Sequence, residues 1–266
     1  MLRPAVLLCC LALAACASAP PRNPLAHWVP SPNFDQRRPV VIVLHYTEQD
    51  SVEESLHTLR TRNAGGPVSS HYLVGDDGTI YQLVADAHRA WHAGGGRWGT
   101  ITDLNSASIG IELDNDGREP FSEPQLQALL RLLDDLTTRL RIPRSQVIGH
   151  ADLAPARKID PGALFPWRRL AEAGFGIWPA DDAPPAPAGF DAMRALEQLG
   201  YDTGHGEATI RAFRLRFRGD AATVLDAEDL RILHALTAPG GGLRMRPAVD
   251  APRKCDAPGE CSPSAE

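Results

Sequence analysis

The chain has 266 residues, of which 43% are hydrophobic and 23% charged, and its formal net charge is −6 at pH 7. This composition is typical of a soluble globular chain with one large domain or two smaller ones. The acidic balance and the lack of a long Lys/Arg run argue against a nucleic-acid partner, because neutralising phosphates requires a basic face.

The first sixteen residues, MLRPAVLLCCLALAAC, have the pattern of an export signal. The apolar run that follows Arg3 is shorter than the ~20 residues that span a bilayer. The sequence LAAC at 13–16 resembles the lipobox of bacterial lipoproteins, which implies a lipidated Cys16; an ordinary cleaved signal is the alternative. With Ala17 in place of Asp, the resemblance implies a lipid anchor on the periplasmic side of a Gram-negative outer membrane.

The next segment, residues 17–37, is rich in Pro, Asn and Arg and predicts a tether, after which a folded domain is predicted over 38–177. The run VVIVLHY at 40–46 predicts a strand that is buried on both faces. Ser51 and Glu54 have capping-box spacing, which predicts the start of a helix.

Further along, two β-rich runs within 71–84 flank Asp-Asp-Gly and predict a hairpin, and SASIGIEL at 106–113 predicts another strand. Leucines at helical spacing predict a helix that is capped by Ser122 and ends before Pro143. The short strand SQVIG follows. Strands and helices alternate, so the predicted fold class is α/β, with a central mixed sheet flanked by helices.

A second unit is predicted beyond a Pro/Ala-rich linker at 178–188. Residues 189–240 contain three short amphipathic patterns, which predict a small helical bundle. Its arginines at 211, 214, 216 and 218 are interpreted as a solvated face. The Pro- and Ser-bearing tail, 241–266, is predicted to be disordered; it contains Cys255 and Cys261, whose pairing the sequence leaves open.

The stretch VIGHADLAPARKIDPG at 147–162 concentrates groups that suit catalysis. Its two prolines disfavour a helix or a regular strand, and extended backbone before Pro161 predicts that Lys158 and Asp160 point the same way. A salt-bridged surface loop would show the same pattern. His45, however, ends a buried strand, and with His150 and Asp160 it completes the two-histidine, one-carboxylate set of a catalytic zinc site.

Glu112 is the candidate acid or base. In SIGIEL, Ser108, Gly110 and Glu112 share one face of the strand, so small side chains are predicted to leave room for a ligand beside the carboxylate. The alternative is a half-exposed strand with Glu112 in solvent.

Five motifs together resemble one known family: VLHYT, SSHYLVGDDGTIYQLV, AWHAG, SIGIEL and GHADLAPARKIDPG. They are similar, over about residues 38 to 170, to the zinc-dependent N-acetylmuramoyl-L-alanine amidases of the peptidoglycan-recognition-protein-like fold, and most closely to the outer-membrane lipoprotein branch. The resemblance implies a catalytic domain over 38–177, a C-terminal three-helix module similar to peptidoglycan-binding domains, and one Zn²⁺ per chain.

Residue by residue, the resemblance implies that His45, His150 and Asp160 bind zinc. It implies that Glu112 is the catalytic acid/base and that Lys158 stabilises the transition state. The candidates for substrate binding are Trp91, His92, Ala93 and Arg157. For the aromatic rings among them, ordinary packing is the alternative. The implied partners are peptidoglycan and muropeptides, with membrane contact through the lipid anchor; no protein partner is predicted.

Three functions remain open at this point. The first is hydrolysis of the amide between N-acetylmuramic acid and L-alanine. The second is recognition of peptidoglycan without cleavage, although non-catalytic relatives of this fold typically lack a zinc ligand and all three positions are filled here. The third is an exported zinc peptidase of another specificity. The sequence contains neither His-Glu-x-x-His nor a serine nucleophile elbow, which excludes the commonest alternative hydrolases.

Overall fold

The computed structural model describes residues 22–36, 39–63 and 65–239. The export signal with Cys16, and the C-terminal tail with Cys255 and Cys261, lie outside the described residues, so the predictions for them stay predictions. Within the described ranges, no helix is both long enough and apolar enough to cross a membrane.

Ten strands and eight α-helices are found in the described residues. The strands are β1 (His27–Trp28), β2 (Phe34–Gln36), β3 (Val41–Tyr46), β4 (Arg62–Asn63), β5 (Gly66–Pro67), β6 (Tyr72–Val74), β7 (Ile80–Gln82), β8 (His88–Ala90), β9 (Ser108–Leu113) and β10 (Val147–Gly149). The helices are α1 (Val52–Thr58), α2 (Leu104–Ala107), α3 (Glu123–Arg139), α4 (His150–Leu153), α5 (Trp167–Glu172), α6 (Ala192–Leu199), α7 (Glu207–Phe217) and α8 (Ala227–Thr237).

The main sheet has six strands in the order β1-β7-β6-β9-β3-β10. All neighbours are parallel except β6 and β7, which form the predicted antiparallel hairpin. Two small antiparallel pairs, β2 with β8 and β4 with β5, lie beside it. The α/β fold class with a central mixed sheet is therefore confirmed.

Local sequence signals explain where the main helices begin. The Ser51 side chain accepts a hydrogen bond from the backbone N–H of Glu54 at the start of α1. The Ser122 side chain accepts one from the N–H of Gln125 at the start of α3. Each cap satisfies a backbone donor that the helix leaves unpaired. Both capped starts match the predictions from sequence.

The two faces of β3 pack against different parts of the chain. Ile42 and Leu44 belong to the apolar cluster that contains α3 and α5. Val41 and Val43 belong to a second cluster, which they share with the C-terminal helices. His45 follows in the same alternation as Val41 and Val43, since side chains two residues apart in a strand point to one face. The sheet thus directs His45 toward the side that the C-terminal helices cover.

Part of the predicted tether belongs to the fold, which corrects the predicted boundary. Strand β1 pairs with β7 at the edge of the main sheet. Asn23 is only 3% exposed, and its backbone N–H donates to the Gln82 side chain at 3.0 Å. Two residues are enough to extend a sheet edge but too few to show a periodic pattern in the sequence.

The three C-terminal helices, α6 to α8, form as the sequence predicts, and α6 ends at Gly200 in a left-handed conformation (φ 113°). Residues 178–188 contain no helix or strand. The interpretation of the arginines as a solvated face is wrong for two of them, because Arg214 and Arg216 are 6% and 4% exposed. Both are paired with carboxylates, which is what makes a buried guanidinium tolerable.

Candidate active site

The candidate site lies at the carboxyl ends of three adjacent parallel strands. His45 is near the end of β3, Glu112 pairs with it in register near the end of β9, and His150 directly follows β10. Parallel strands bring their carboxyl ends to one edge of a sheet, where ligands of open α/β sheets bind. The topology therefore brings together residues that are up to 105 positions apart.

The predicted metal ligands converge on a single point. His45 Nδ1 lies 3.0 Å from His150 Nδ1 and 3.0 Å from Asp160 Oδ2, and the latter two atoms are 3.1 Å apart. All three residues are buried. An ion with bonds of ~2 Å in tetrahedral geometry holds its ligand atoms roughly 3.3 Å apart, so the triangle has the size that zinc requires.

The hydrogen bonds of His150 assign a hydrogen to its Nε2. Nη2 of Arg157 has two hydrogens, and it donates them to the carbonyls of Ala93 (2.7 Å) and Gly95 (2.6 Å). It therefore has none for His150 Nε2, which donates instead to the Ala93 carbonyl at 2.9 Å. In the tautomer with its hydrogen on Nε2, the lone pair of the ring lies on Nδ1, which faces the Asp160 carboxylate. Such a cluster of acceptors suits a bound cation.

Burial controls the charge of the site. It lowers the pKa of His45 to about 4, assisted by the nearby His150. The pKa of Asp160 lies below its usual value even though burial alone would raise it, because the two imidazole rings lie against its carboxylate. Neutral imidazoles and an ionised carboxylate are the forms that bind metal ions.

The remaining catalytic candidates share a cavity with these ligands. Glu112 and Lys158 both line it, as do Trp91 and His92. Burial, and secondarily the Asp160 charge, raise the pKa of Glu112 well above its usual value, while Lys158 acts in the opposite direction. The cavity continues from the ligands along α1, where its lining includes Gln49, Ser55 and Thr58. Glu112, Lys158 and the three candidate metal ligands thus line one cavity.

Comparisons with known proteins identify the family. Residues 35–163 match the family model for N-acetylmuramoyl-L-alanine amidase. The N-acetylmuramoyl-L-alanine amidase AmiD of Escherichia coli is 40% identical over 235 residues, which cover 74% of this chain and 81% of the relative. The chain belongs to the N-acetylmuramoyl-L-alanine amidase family. The 1,6-anhydro-N-acetylmuramyl-L-alanine amidase AmpD of E. coli is 31% identical over 164 residues, which cover 54% of this amidase and 90% of AmpD.

Solved structures agree with this assignment. E. coli AmiD, in complex with the substrate anhydro-N-acetylmuramic acid-L-Ala-D-gamma-Glu-L-Lys, superposes with a TM-score of 0.66 and 37% identity, over 75% of this amidase and 89% of that chain. AmpDh3 of Pseudomonas aeruginosa, in complex with an anhydromuramic pentapeptide, gives 0.65 and 32%, over 75% and 91%. The predicted N-acetylmuramoyl-L-alanine amidase family and enzyme class are confirmed, whereas the zinc dependence and the lipoprotein branch stay predictions.

Two of the predicted substrate-binding residues, Ala93 and Arg157, contact each other beside the candidate metal ligand His150. Ala93 is fully buried, and its carbonyl accepts from both His150 and Arg157. Arg157 holds the 93–95 loop. Their contact with substrate stays a prediction, as does that of Trp91 and His92 at the cavity. Two tryptophans outside this set of candidates, Trp98 and Trp167, are buried in the apolar clusters.

The space beside Gly110 is not free for a ligand, which corrects the prediction from the SIGIEL pattern. A Cβ atom at Gly110 would lie 2.4 Å from Cγ of His92, so the imidazole fills the gap that the glycine leaves. Ser108 on the same face contacts that imidazole as well. The small residues at 108 and 110 do indicate a close approach, but the approaching group is the His92 ring of the same chain and not a ligand.

Two further features were missed from the sequence. The stretch at 147–162 contains a one-turn helix, α4, which begins at His150 and ends before Pro155. Its start is held by Asp152, whose carboxylate accepts from the backbone N–H of Gly149 at 2.8 Å. Asn105 is the second: its side-chain oxygen accepts from the N–H groups of both His92 and Ala93. The sequence gives no period or motif for either contact.

Proposed function

We propose that His45, His150 and Asp160 bind one Zn²⁺, and that the enzyme hydrolyses the amide between N-acetylmuramic acid and L-alanine in peptidoglycan or muropeptides. The observation that carries this proposal is the convergence of three buried acceptors within 3.1 Å of one another. Beside them, Glu112 and Lys158 line the same cavity.

The residues present suit hydrolysis of an unactivated amide. When bound, zinc polarises a carbonyl oxygen and lowers the pKa of bound water toward ~7. Glu112 takes the proton of the attacking water and returns it to the departing nitrogen of L-alanine. Its raised pKa favours proton uptake, which the first of these two transfers requires.

Lys158 faces the charge that develops on the carbonyl oxygen. Lys158 is half-buried and lines the same cavity as the candidate ligands and Glu112, where partial removal from water strengthens its effect on an oxyanion. A compact ammonium also approaches one oxygen atom more closely than a planar guanidinium does. The chain contains only two lysines, at 158 and 254, among many arginines.

The substrate class follows from the relatives whose complexes contain anhydromuropeptides. We infer that the cavity accepts a muramoyl group joined to a stem peptide, with the open part along α1 available to one end of it. We also propose that the chain is a lipoprotein anchored through Cys16 at the outer membrane. Metabolic labelling with a palmitate analogue, compared with Cys16→Ser, tests the anchor.

The direct test is digestion of purified sacculi and muropeptides, followed by mass spectrometry of the products. Free stem peptides that begin with L-alanine support the proposal. Retained binding of uncut material would instead support recognition without cleavage, and cuts inside the stem peptide would support a peptidase.

Two variants separate the roles in the site. Glu112→Ala is expected to retain zinc and lose turnover by roughly 10²–10⁴-fold, because the acid/base is removed while the ligands stay. His150→Ala is expected to lose zinc as well as activity, as measured by elemental analysis. An active Glu112→Ala enzyme would contradict the assigned role of Glu112.

A further inference from the structure

We propose that His92 is a positioning residue: it holds His45 in the tautomer that offers Nδ1 to the metal, and Ser108 fixes His92 in turn. The proposal rests on the zinc site of the proposed function and assigns a task to two residues that do not reach the ion. It follows from counting hydrogens along one chain of contacts.

The count begins at the serine hydroxyl. Ser108 Oγ donates to the carbonyl of Leu104, one helical turn earlier, in a short hydrogen bond. A hydroxyl has a single hydrogen, so toward any other partner Oγ is an acceptor. His92 Nε2 lies 3.2 Å from Oγ. The ring of His92 therefore carries its hydrogen on Nε2, and donates it to Ser108.

The next step passes this constraint to the metal ligand. A neutral imidazole with hydrogen on Nε2 has a lone pair on Nδ1. Nδ1 of His92 lies 2.9 Å from His45 Nε2, so His45 must be the donor in this contact. Its own Nδ1 then has the lone pair, and this is the atom that faces His150 and Asp160. The second ring nitrogen of a metal-binding histidine commonly sets the tautomer in this way.

Packing keeps His92 in place for this task. Its ring lies against Gly110, where even a methyl group would clash. Its backbone N–H, together with that of Ala93, donates to the buried side-chain oxygen of Asn105, at 3.0 and 2.8 Å. The Ala93 carbonyl in turn accepts from His150 Nε2. Residues 92 and 93 therefore orient both imidazoles, one through a side chain and the other through a carbonyl.

The reverse direction of the relay has a distinct consequence. If His92 donated from Nδ1 to His45, the hydrogen of His45 would lie on Nδ1 and point at Asp160 Oδ2, 3.0 Å away. That tautomer cannot bind a metal through Nδ1. The two directions are distinguished by the ¹⁵N chemical shifts of the His45 ring in the zinc-free full chain.

The experiment uses four variants and a control. His92→Leu removes the acceptor, whereas His92→Asn keeps an oxygen near the position of Nδ1. Ser108→Ala removes the hydroxyl, whereas Ser108→Thr keeps it. Ser70→Ala is the matched control, because Ser70 is equally buried and its hydroxyl has no hydrogen-bond partner among the described residues. Zinc affinity is measured by competition with a chelator, and folding by circular dichroism.

We expect His92→Leu to bind zinc about 10–100-fold more weakly, the usual effect of removing such a supporting group. Ser108→Ala is expected to show a smaller loss, and His92→Asn and Ser108→Thr to recover most of the affinity; Ser70→Ala is expected to match the wild type. The zinc-free wild type is expected to show His45 protonated on Nε2.

Unchanged zinc affinity in folded His92→Leu and Ser108→Ala, or a hydrogen on Nδ1 of His45 in the wild type, would overturn the proposal. If His92→Leu does not fold, the Asn and Ser108 variants and the wild-type spectrum still decide it. None of these readouts depends on turnover. A chain that binds zinc as described but leaves peptidoglycan intact would refute the proposed function and leave this inference standing.

Discussion

The two histidines of the proposed metal site are supported by different regions of the molecule. His45 is held from within the catalytic sheet, through the neutral groups of His92 and Ser108. His150 starts α4, and the buried Asp152, two residues later in the same turn, is tied to the C-terminal helices. His45 thus depends on contacts with His92 and, through it, Ser108. His150 depends instead on the buried pair of Asp152 and Arg216, which joins distant parts of the chain.

The charge pair connects several elements. The Asp152 carboxylate accepts from Arg216 Nη1 at 2.6 Å and from the Tyr201 hydroxyl at 2.7 Å. Arg216 Nη2 also donates to the Val147 carbonyl in β10, and the guanidinium lies over the ring of Trp167, 4.4 Å from its centroid. The C-terminal helices therefore contact the strand and the helix that flank His150. In this structure the C-terminal helices support the part of the candidate site that contains His150.

The largest expected effect is that of Arg216→Met, which tests the His150 side. The substitution keeps an unbranched, largely apolar stem but leaves the Asp152 carboxylate buried without its cation. We expect a loss of about 3–5 kcal/mol in the free energy of unfolding, because an uncompensated buried charge is that costly. Urea unfolding of the zinc-free chain measures it, and zinc affinity is expected to fall with it.

A matched control is Arg168→Met, since Arg168 pairs with Glu172 and Asp181 while remaining exposed. We expect no measurable change, because exposed ion pairs contribute little. Equal stability of the two variants would show that the C-terminal helices do not brace the site as described.

The next largest effect is expected for Gly110→Ala. This substitution tests the support of His45 by His92 without removing any polar atom. The added methyl group would lie 2.4 Å from His92, so the ring must move. Overpacking of this kind costs about 1–3 kcal/mol, and zinc affinity is expected to fall as in His92→Leu. Gly65→Ala, where a Cβ meets nothing within 4 Å, is the control. A stable Gly110→Ala chain with normal zinc affinity would argue against the relay.

Tyr201→Phe removes one donor from Asp152 and leaves the other two. Tyr201 is 2% exposed, so water does not replace the lost hydrogen bond. We expect a loss of about 1.5 kcal/mol, near the lower limit for hydrogen bonds to charged groups. Combined with Arg216→Met, the effects are expected to be non-additive, because both side chains act on one carboxylate. Additive losses in urea unfolding would show that the two contacts are independent.

The two supports also differ in how well the sequence predicts them. The convergence of the candidate ligands was predictable in part: His45 ends a buried β-branched run, as the sequence indicates, whereas Asp160 lies in a turn and not in the extended backbone that Pro161 predicts. The alternation in β9 placed Glu112 on the same face as Gly110, as the structure shows. These features depend on local patterns of two or three residues, and such patterns survive folding.

The supports depend instead on contacts between distant residues. Arg216 and Asp152 are 64 positions apart, and an arginine within an amphipathic helix has the pattern of a solvated face whether or not it is buried. The missing side chain at Gly110 indicated an empty space, but only the fold shows that the His92 ring fills it. Composition and periodicity report which residues are apolar, and they do not report which buried polar groups are partners.

The smallest expected effect concerns Glu112, a buried carboxyl that contrasts with Asp152. Asp152 has an arginine, a hydroxyl and a backbone N–H as donors, whereas burial raises the pKa of Glu112 well above its usual 4.5. The folded zinc-free chain therefore holds a proton on Glu112 that the unfolded chain releases above pH 4.5, so its stability falls as pH rises through the raised pKa.

Glu112→Gln cannot ionise, and its stability advantage over the wild type is expected to grow across this window in thermal unfolding. Zinc favours the carboxylate, so the advantage should shrink in the loaded protein; parallel pH profiles of the two zinc-free chains would refute the argument.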